Sequence, residues 1–231
     1  MDREIYVIVV AGGSGARMGA GIPKQFLDLG GRPILRMSIE LMTRTLPSAR
    51  IITVLPQEYI SYWEEYCLKS NFSVPQMIVK GGITRFHSVK NALAKVPDGA
   101  IVAVHDAVRP LVSAKLVQEL VRKAAETGSA IPVIPTIDTL RILEDRDGEL
   151  HSSAETIDRS RIYAVQTPQV FYSEILSKAY NQAFDTAFTD DASVVENNKT
   201  PLSYVLGERF NIKITTAEDL FLAEAIIRKL D

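Results

Sequence analysis

Residues Ile5–Val10 form an unbroken apolar run that leads into a stretch with glycines at 12, 13, 15, 19 and 21. A strand covered on both faces needs such a run, and it points to a parallel sheet flanked by helices. Glycines admit positive φ and bring backbone N–H groups close to a bulky anion. Two cations, Arg17 and Lys24, fall within or beside the stretch. A buried strand feeding a glycine loop with fixed cations reads as a phosphate cradle. It is not a Walker A loop, which needs G-x-x-x-x-G-K-[ST], because the lysine here lies in Pro23-Lys24-Gln25. The dinucleotide fingerprint G-x-G-x-x-G fails too. Gly13 and Gly15 fit it, but Met18 takes the third glycine position and Pro23 blocks an immediate crossover helix.

Strand-like and helix-like patterns alternate through the first half, as they do in a mostly parallel Rossmann-like sheet with helices on both faces. Pro33 suits the first turn of a helix whose apolar positions are Ile34, Leu41 and Met42, with Ser38 as the exception. A strand at 51–55, a helix from about Gln57, and a short strand at 77–79 ending in Gly81-Gly82 follow. Phe86, Val89 and Leu93 mark another helix, and the apolar run 100–104 delivers His105 and Asp106 at a strand's carboxyl end. Ser113 caps a helix that runs to Gly128, and 130–134 is the next strand. Ligands of open α/β sheets bind outside the carboxyl ends of strands. The glycine loop, Gly81-Gly82 and His105-Asp106 all fall at such ends.

The pattern then changes. Segments 140–143 and 149–153 flank Asp145-Arg146-Asp147-Gly148, which predicts a hairpin. Polar and without a helical partner, it reads as an arm over about 138–160 that projects from the body for subunit contact. Tyr163–Val165, a helix at 174–184, two short strands and a final helix capped by Thr216, with Asp219 at its third position, complete a single domain spanning 1–231.

A chain of 231 residues buries a full core unaided, and a formal net charge of -2 leaves no basic footprint for nucleic acid. No apolar run reaches the length of a membrane span, and Met1-Asp2-Arg3-Glu4 does not open a signal peptide. The single Cys67 reads as a small buried hydrophobe. His87, His105 and His151 read as structural, and no His/Cys cluster suits zinc. These features predict a cytoplasmic protein with neither nucleic-acid nor membrane partners.

Several blocks together resemble one family. GG-x-G-x-R-M at 12–18, followed by Pro23-Lys24, resembles nucleotidyltransferases that join a nucleoside triphosphate to a sugar or polyol phosphate, and Pro23-Lys24-Gln25-Phe26-Leu27 narrows this to cytidylyltransferases. Gly81-Gly82-x-x-Arg85-x-x-Ser88 resembles their nucleoside-recognition segment, with Ile83 where the family often carries a polar or acidic residue. His105-Asp106-Ala107-Val108-Arg109-Pro110 is nearly identical to a family motif. Asp138-Thr139, Thr156-x-Asp158-Arg159, Gln166-Thr167-Pro168-Gln169, Thr189-Asp190-Asp191-Ala192 and Asn211-Ile212-Lys213-Ile214-Thr215 follow in the family's order. The chain is similar over nearly its whole length to the 2-C-methyl-D-erythritol 4-phosphate cytidylyltransferase family of non-mevalonate isoprenoid synthesis. Ribitol-5-phosphate and ribulose-5-phosphate cytidylyltransferases share some blocks and are the nearest alternative. A non-catalytic nucleotide-binding module is the alternative from another class, and the retention of both Arg17 and Lys24 argues against it.

The resemblance implies a nucleotide-diphospho-sugar transferase fold and a homodimer acting on CTP and a polyol phosphate. It implies catalysis by Arg17 and Lys24, and Mg²⁺ bound mainly through the CTP phosphates without dedicated protein ligands, Asp106 being the one candidate carboxylate. The nucleotide would meet Ala11, Gly12, Gly13, Gly15, Gly82, Arg85, Ser88 and Ala107. The acceptor would be held by Arg159 and Lys213 and positioned by Asp106, Arg109, Thr139, Thr167 and Thr189, with Thr139 and Arg159 lent by the neighbouring subunit.

Overall fold

The computed structural model describes residues 3–12, 22–153 and 157–230. The glycine loop, with Gly13, Gly15 and Arg17, lies outside the described residues.

The central sheet grows around β1 (Ile5–Val10). β1 pairs in parallel with β4 (Arg50–Leu55) on one side and with β6 (Ile101–Asp106) on the other. β5 (Gln76–Lys80) adds in parallel to β4. Beyond β6 the sheet becomes mixed: β11 (Gln169–Tyr172) lies antiparallel between β6 and β7 (Ser129–Pro135). β10 (Tyr163–Val165) runs antiparallel to β7, and β12 (Tyr204–Leu206) runs parallel to it. Asp28–Leu29 (β2) and Arg32–Pro33 (β3) form a small separate hairpin. Pro33 is therefore the residue before α1 (Ile34–Thr45), not a member of its first turn.

Alternate residues of each central strand enter different cores, as the two-residue side-chain period requires. Val7, Val9, Ile51, Leu55, Ile101 and Ala103 pack on one face, against α1, α2 (Ile60–Lys69) and α4 (Ala114–Thr127). Tyr6, Ile8, Ile52, Val54, Val102 and Val104 pack on the other, against α3 (Arg85–Leu93), α5 (Ser173–Tyr180) and α6 (Asp191–Asn197). Burying each such aliphatic side chain contributes about 1.5–3 kcal/mol, which the unbroken apolar runs of β1 and β6 multiply on both faces. A third, smaller cluster seats α7 (Ala217–Leu230) on the β2–β3 hairpin through Leu29, Ile34, Val108, Ile214 and Ala223.

Several expectations need correction. Ser38 is fully buried on the inner face of α1, where its hydroxyl donates to the Ala107 carbonyl at 2.7 Å. The helix expected from Gln57 begins as a 3₁₀ turn, Gln57–Tyr59. The helix expected over 174–184 stops at Tyr180, and of two short strands expected after it only β12 forms among the described residues. β11 and α6 had no counterpart in the sequence reading. The arm is a hairpin of β8 (Leu143–Arg146) and β9 (Glu149–Ser152), each exposed along its whole length. Asp147 and Gly148 turn it with φ of 55° and 85°, the left-handed pair that a two-residue hairpin turn demands.

Candidate active site

Two clefts open at the carboxyl ends of the parallel strands and share one wall. The first, about 440 Å³, is lined among others by Ala11, Gly12, Lys24, Gly82, Ser88 and Val108. The second, about 220 Å³, is lined among others by Arg109, Gln166, Thr167, Thr189 and Asp190. Arg85, Asp106 and Lys213 line both. The first volume lies within the range of small-molecule sites.

The shared wall is built around Asp106, delivered by the last position of β6. One carboxylate oxygen lies 3.0 Å from Lys213 Nζ and 3.6 Å from Arg109 Nε, and the other lies 3.4 Å from Arg85 Nε. Burial pushes this carboxyl's pKa up, but Arg85, Lys213 and Arg109 together outweigh it and hold the group well below the usual carboxylate range. Asp106 is a fixed anion clasped by three cations.

The segments that carry Lys213 and Lys24, and the side chain of Arg109, are held by hydrogen bonds and packing. Lys213 stands between two fully buried residues, Asn211 and Ile214. Asn211 Nδ2 donates to the Thr167 carbonyl at 2.9 Å, and the Ile214 N–H donates to the Val108 carbonyl at 2.9 Å. Arg109 Nη1 donates to the Asn211 carbonyl at 2.8 Å. Buried Gln166 clamps the same segment, its amide donating to the Glu208 carbonyl at 2.7 Å and accepting from the Glu208 N–H at 3.1 Å. Lys24 opens the 3₁₀ turn Lys24–Phe26. Buried Gln25 donates to the Ala11 carbonyl at 2.7 Å, and Phe26 packs its ring against Tyr59, Tyr62 and Trp63.

His105 has a fixed tautomer. Its Nε2 lies 3.1 Å from the Arg109 carbonyl, which only accepts, so Nε2 carries the proton. Nδ1 therefore accepts from the Thr167 hydroxyl at 3.1 Å, and that oxygen in turn accepts the Asp106 N–H at 3.0 Å. Burial lowers the His105 pKa to about 4, so the ring stays neutral. The structural reading of His105 agrees with this arrangement. Thr167, expected to line an acceptor site, commits its hydroxyl to the scaffold behind Asp106.

Gly82 and Ser88 are likewise tied together. The Ser88 hydroxyl accepts from the Gly82 N–H at 3.0 Å and donates to the Thr84 carbonyl at 3.0 Å. A Cβ on Gly82 would stand 2.3 Å from His87 Cβ, so only glycine allows this approach. Ile83 stands almost fully exposed at the rim. Ala107 is buried and lines neither cleft: its N–H donates to the Val10 carbonyl at 3.0 Å and its carbonyl takes Ser38. Thr139 and Arg159 are exposed and also line neither cleft of their own chain, with Arg159 Nη1 donating to the Ile137 carbonyl at 2.9 Å.

The sequence reading gave no separate roles to Gln25, Gln166 and Asn211, although all three lie in the quoted blocks. Each is a buried amide whose work is to hold backbone, and a sequence carries no signal for a partner 14 or 45 positions away.

The sequence profile describing IspD, 2-C-methyl-D-erythritol 4-phosphate cytidylyltransferase, matches residues 5–229. The protein of that name from Bacteroides thetaiotaomicron is 44% identical over 221 residues, covering 96% of this chain and 98% of the relative. Its namesake from Azobacteroides pseudotrichonymphae is 47% identical over 227 residues, covering 97% and 99%. Among solved structures, 4-diphosphocytidyl-2C-methyl-D-erythritol synthase from Anaerococcus prevotii superposes with a TM-score of 0.79 at 27% identity, covering 98% of this chain and 99% of that one. The 2-C-methyl-D-erythritol 4-phosphate cytidylyltransferase of Thermus thermophilus gives 0.74 at 30% identity, covering 99% and 100%. With a family profile matched from the first strand to the last helix, and relatives aligned end to end, this chain belongs to the 2-C-methyl-D-erythritol 4-phosphate cytidylyltransferase family.

Proposed function

We propose that this chain transfers the cytidylyl group of CTP to 2-C-methyl-D-erythritol 4-phosphate, releasing pyrophosphate, in non-mevalonate isoprenoid precursor synthesis. The observation that carries this reading is the wall between the two clefts, where Arg85, Arg109 and Lys213 surround a permanently ionised Asp106. Two anionic substrates meeting across a cationic partition is the arrangement that nucleotidyl transfer requires.

In this reading CTP occupies the larger cleft, against Ala11, Gly12, Gly82, Arg85 and Ser88, with Gly13, Gly15 and Ala107 contributing through the loop and its supports. The acceptor enters the smaller cleft among Asp106, Arg109, Thr167, Thr189 and Lys213. Its phosphate oxygen forms a bond to the α-phosphorus of CTP as the bond to the β-phosphate oxygen breaks, and pyrophosphate departs. No side chain must take a proton, because the acceptor phosphate is already ionised. Lys24 and Arg17 neutralise the charge that gathers on the α-phosphate oxygens.

Mg²⁺, carried mainly by the CTP phosphates, supplies charge shielding when bound. Asp106 is an ionised oxygen ligand on the cleft wall, but both of its oxygens already face Arg85, Arg109 and Lys213, so it does not fit as a direct ligand and the ion would be held through the CTP phosphates. Among the described residues no group of three or more His, Cys, Asp or Glu is placed to hold a metal ion.

The chain is read as one domain working as a homodimer in the cytoplasm, without nucleic-acid or membrane partners. Among the described residues no helix is long and apolar enough to cross a membrane. The exposed arm, with Leu143 and Leu150 on its surface, and the exposed Tyr163, Tyr204 and Leu206 on the strands beside β7 support a second subunit. The partner would receive Thr139 and Arg159.

Substrate choice tests the reading. A pocket edged by glycine backbone and Ser88 excludes purines by size, so kcat/KM for CTP should exceed that for GTP by about a hundredfold or more. CTP should also outrun UTP, whose carbonyl cannot satisfy groups set for an exocyclic amine. Pyrophosphate release should be faster with 2-C-methyl-D-erythritol 4-phosphate than with ribitol 5-phosphate. Equal kcat/KM for CTP and GTP would refute the assignment of the larger cleft, and preference for ribitol 5-phosphate would refute the acceptor.

A further inference from the structure

Behind the cationic wall lies a second carboxylate that the transfer step does not use. Asp191, fully buried at the first turn of α6, accepts from Arg85 Nη2 at 2.7 Å on one oxygen and from the Tyr180 hydroxyl at 2.6 Å on the other. Tyr180 closes α5, itself buried and stacked on Phe86 with ring centroids 4.7 Å apart. Arg85 opens α3 and reaches Asp106 with Nε. A continuous line Tyr180–Asp191–Arg85–Asp106 thus runs from the core between three helices to the wall shared by the clefts.

The neighbouring residues have other tasks. Asp190 caps α6, accepting from the Ser193 N–H at 2.9 Å and from Gln169 Nε2 at 2.8 Å. Gln169 Oε1 accepts the Ala192 N–H at 2.8 Å, fixing the start of the helix from the other side. Asp191 is therefore not needed as the cap, and its carboxylate is left to serve Arg85. Arg85 is flanked by two carboxylates, and a planar guanidinium bound at both ends cannot turn without breaking one contact. Arg109 and Lys213 meet the other oxygen of Asp106, so Arg85 is the cation that fixes the carboxylate's rotation.

We propose that Asp191 is a positioning residue for the transfer reaction, setting Arg85, and through it the Asp106 carboxylate, at the boundary between nucleotide and acceptor. The proposal rests on the cytidylyl-transfer reading above. Misplacing groups at that boundary disturbs alignment in the transition state more than binding of either substrate. Asp191→Asn keeps the shape but removes the charge. It should lower kcat by about tenfold to a hundredfold while KM for both substrates stays within roughly threefold.

The test is a double-mutant cycle with Arg85→Lys, which keeps a cation but cannot bridge both carboxylates. Because Asp191 acts through Arg85, adding Asp191→Asn to Arg85→Lys should cost less than about twofold further in kcat. Thermal melting of each variant accompanies the kinetics. A merely structural Asp191 would lower the melting temperature and leave kcat of the folded fraction unchanged, and that result would overturn the proposal. So would the same fractional loss in both backgrounds. Should Asp191→Asn fail to fold, Tyr180→Phe, which removes only the hydroxyl that orients the carboxylate, carries the same test. It should cost about threefold or more in kcat, and an unchanged kcat would overturn the proposal. Wild-type protein that released no pyrophosphate from CTP and the acceptor would overturn the catalytic reading itself, whereas active wild type with flat variant ratios overturns only the role of Asp191.

Discussion

Lys24→Ala protein should fold as wild type does and turn over CTP at least about a hundredfold more slowly, the scale for losing one preorganised group that stabilises transition-state charge. The fold should survive because the turn is secured by its neighbours. Gln25 holds the Ala11 carbonyl and Phe26 is packed among Tyr59, Tyr62 and Trp63. The loss should fall on kcat, because charge on the α-phosphate oxygens grows as the acceptor approaches. Steady-state kinetics beside a thermal melt separates the two effects. Near-normal turnover by folded Lys24→Ala protein would remove Lys24 from the chemistry.

The second large effect concerns Arg159. It lines neither cleft of its own chain, while the function proposed above gives it the acceptor phosphate. Both hold if Arg159 serves the partner subunit, making a composite site with Lys24 from one chain and Arg159 from the other. Lys24→Ala and Arg159→Ala proteins should each be nearly inactive alone. Refolded together, random mixing makes roughly half the dimers mixed, each with one intact site, so activity should return to roughly a quarter of wild type. If Arg159 serves its own subunit, a mixed dimer has no intact site. No recovery with mixed dimers demonstrably present would leave the arm as a clasp only.

The parts of this structure that could be read in advance are those with local signals. The buried runs of β1, β4 and β6, the helices between them, and the Asp147-Gly148 turn each carry a period or a turn residue within a short window. Their carboxyl ends gathered the residues that line the clefts. β11 escaped because it is four residues long and owes its place to partners in β6 and β7 at least 40 positions earlier in the chain. α6 escaped because seven residues are too few to show a helical period. Its capping pair, Asp190 and Ser193, was legible in principle but sat inside a block read for function.

Within the site, residue types were easier to read than their tasks. Thr167 and Ser88 were expected to face substrate, yet their hydroxyls are engaged with protein groups. Thr167 joins neutral His105 to the Asp106 N–H, and Ser88 joins Gly82 to Thr84. A hydroxyl near a cleft can satisfy backbone or ligand, and sequence does not distinguish the two. Asp106 was identified from its strand end, but its clasp of three cations depends on Arg85 and Lys213, 21 positions before it and 107 after it. Such contacts follow from topology.

Following the α-phosphorus of CTP gives the most direct test of transfer between the clefts. Incubation with 2-C-methyl-D-erythritol 4-phosphate bearing ¹⁸O in its phosphate, read by ³¹P NMR, should show a cytidine diphosphate ester with two mutually coupled phosphorus signals. Pyrophosphate should appear in equal amount and without label, because the acceptor oxygen becomes the bridge and only the β- and γ-phosphates leave. Pyrophosphate released without acceptor, or label found in pyrophosphate, would contradict direct attack by the acceptor phosphate on the α-phosphorus.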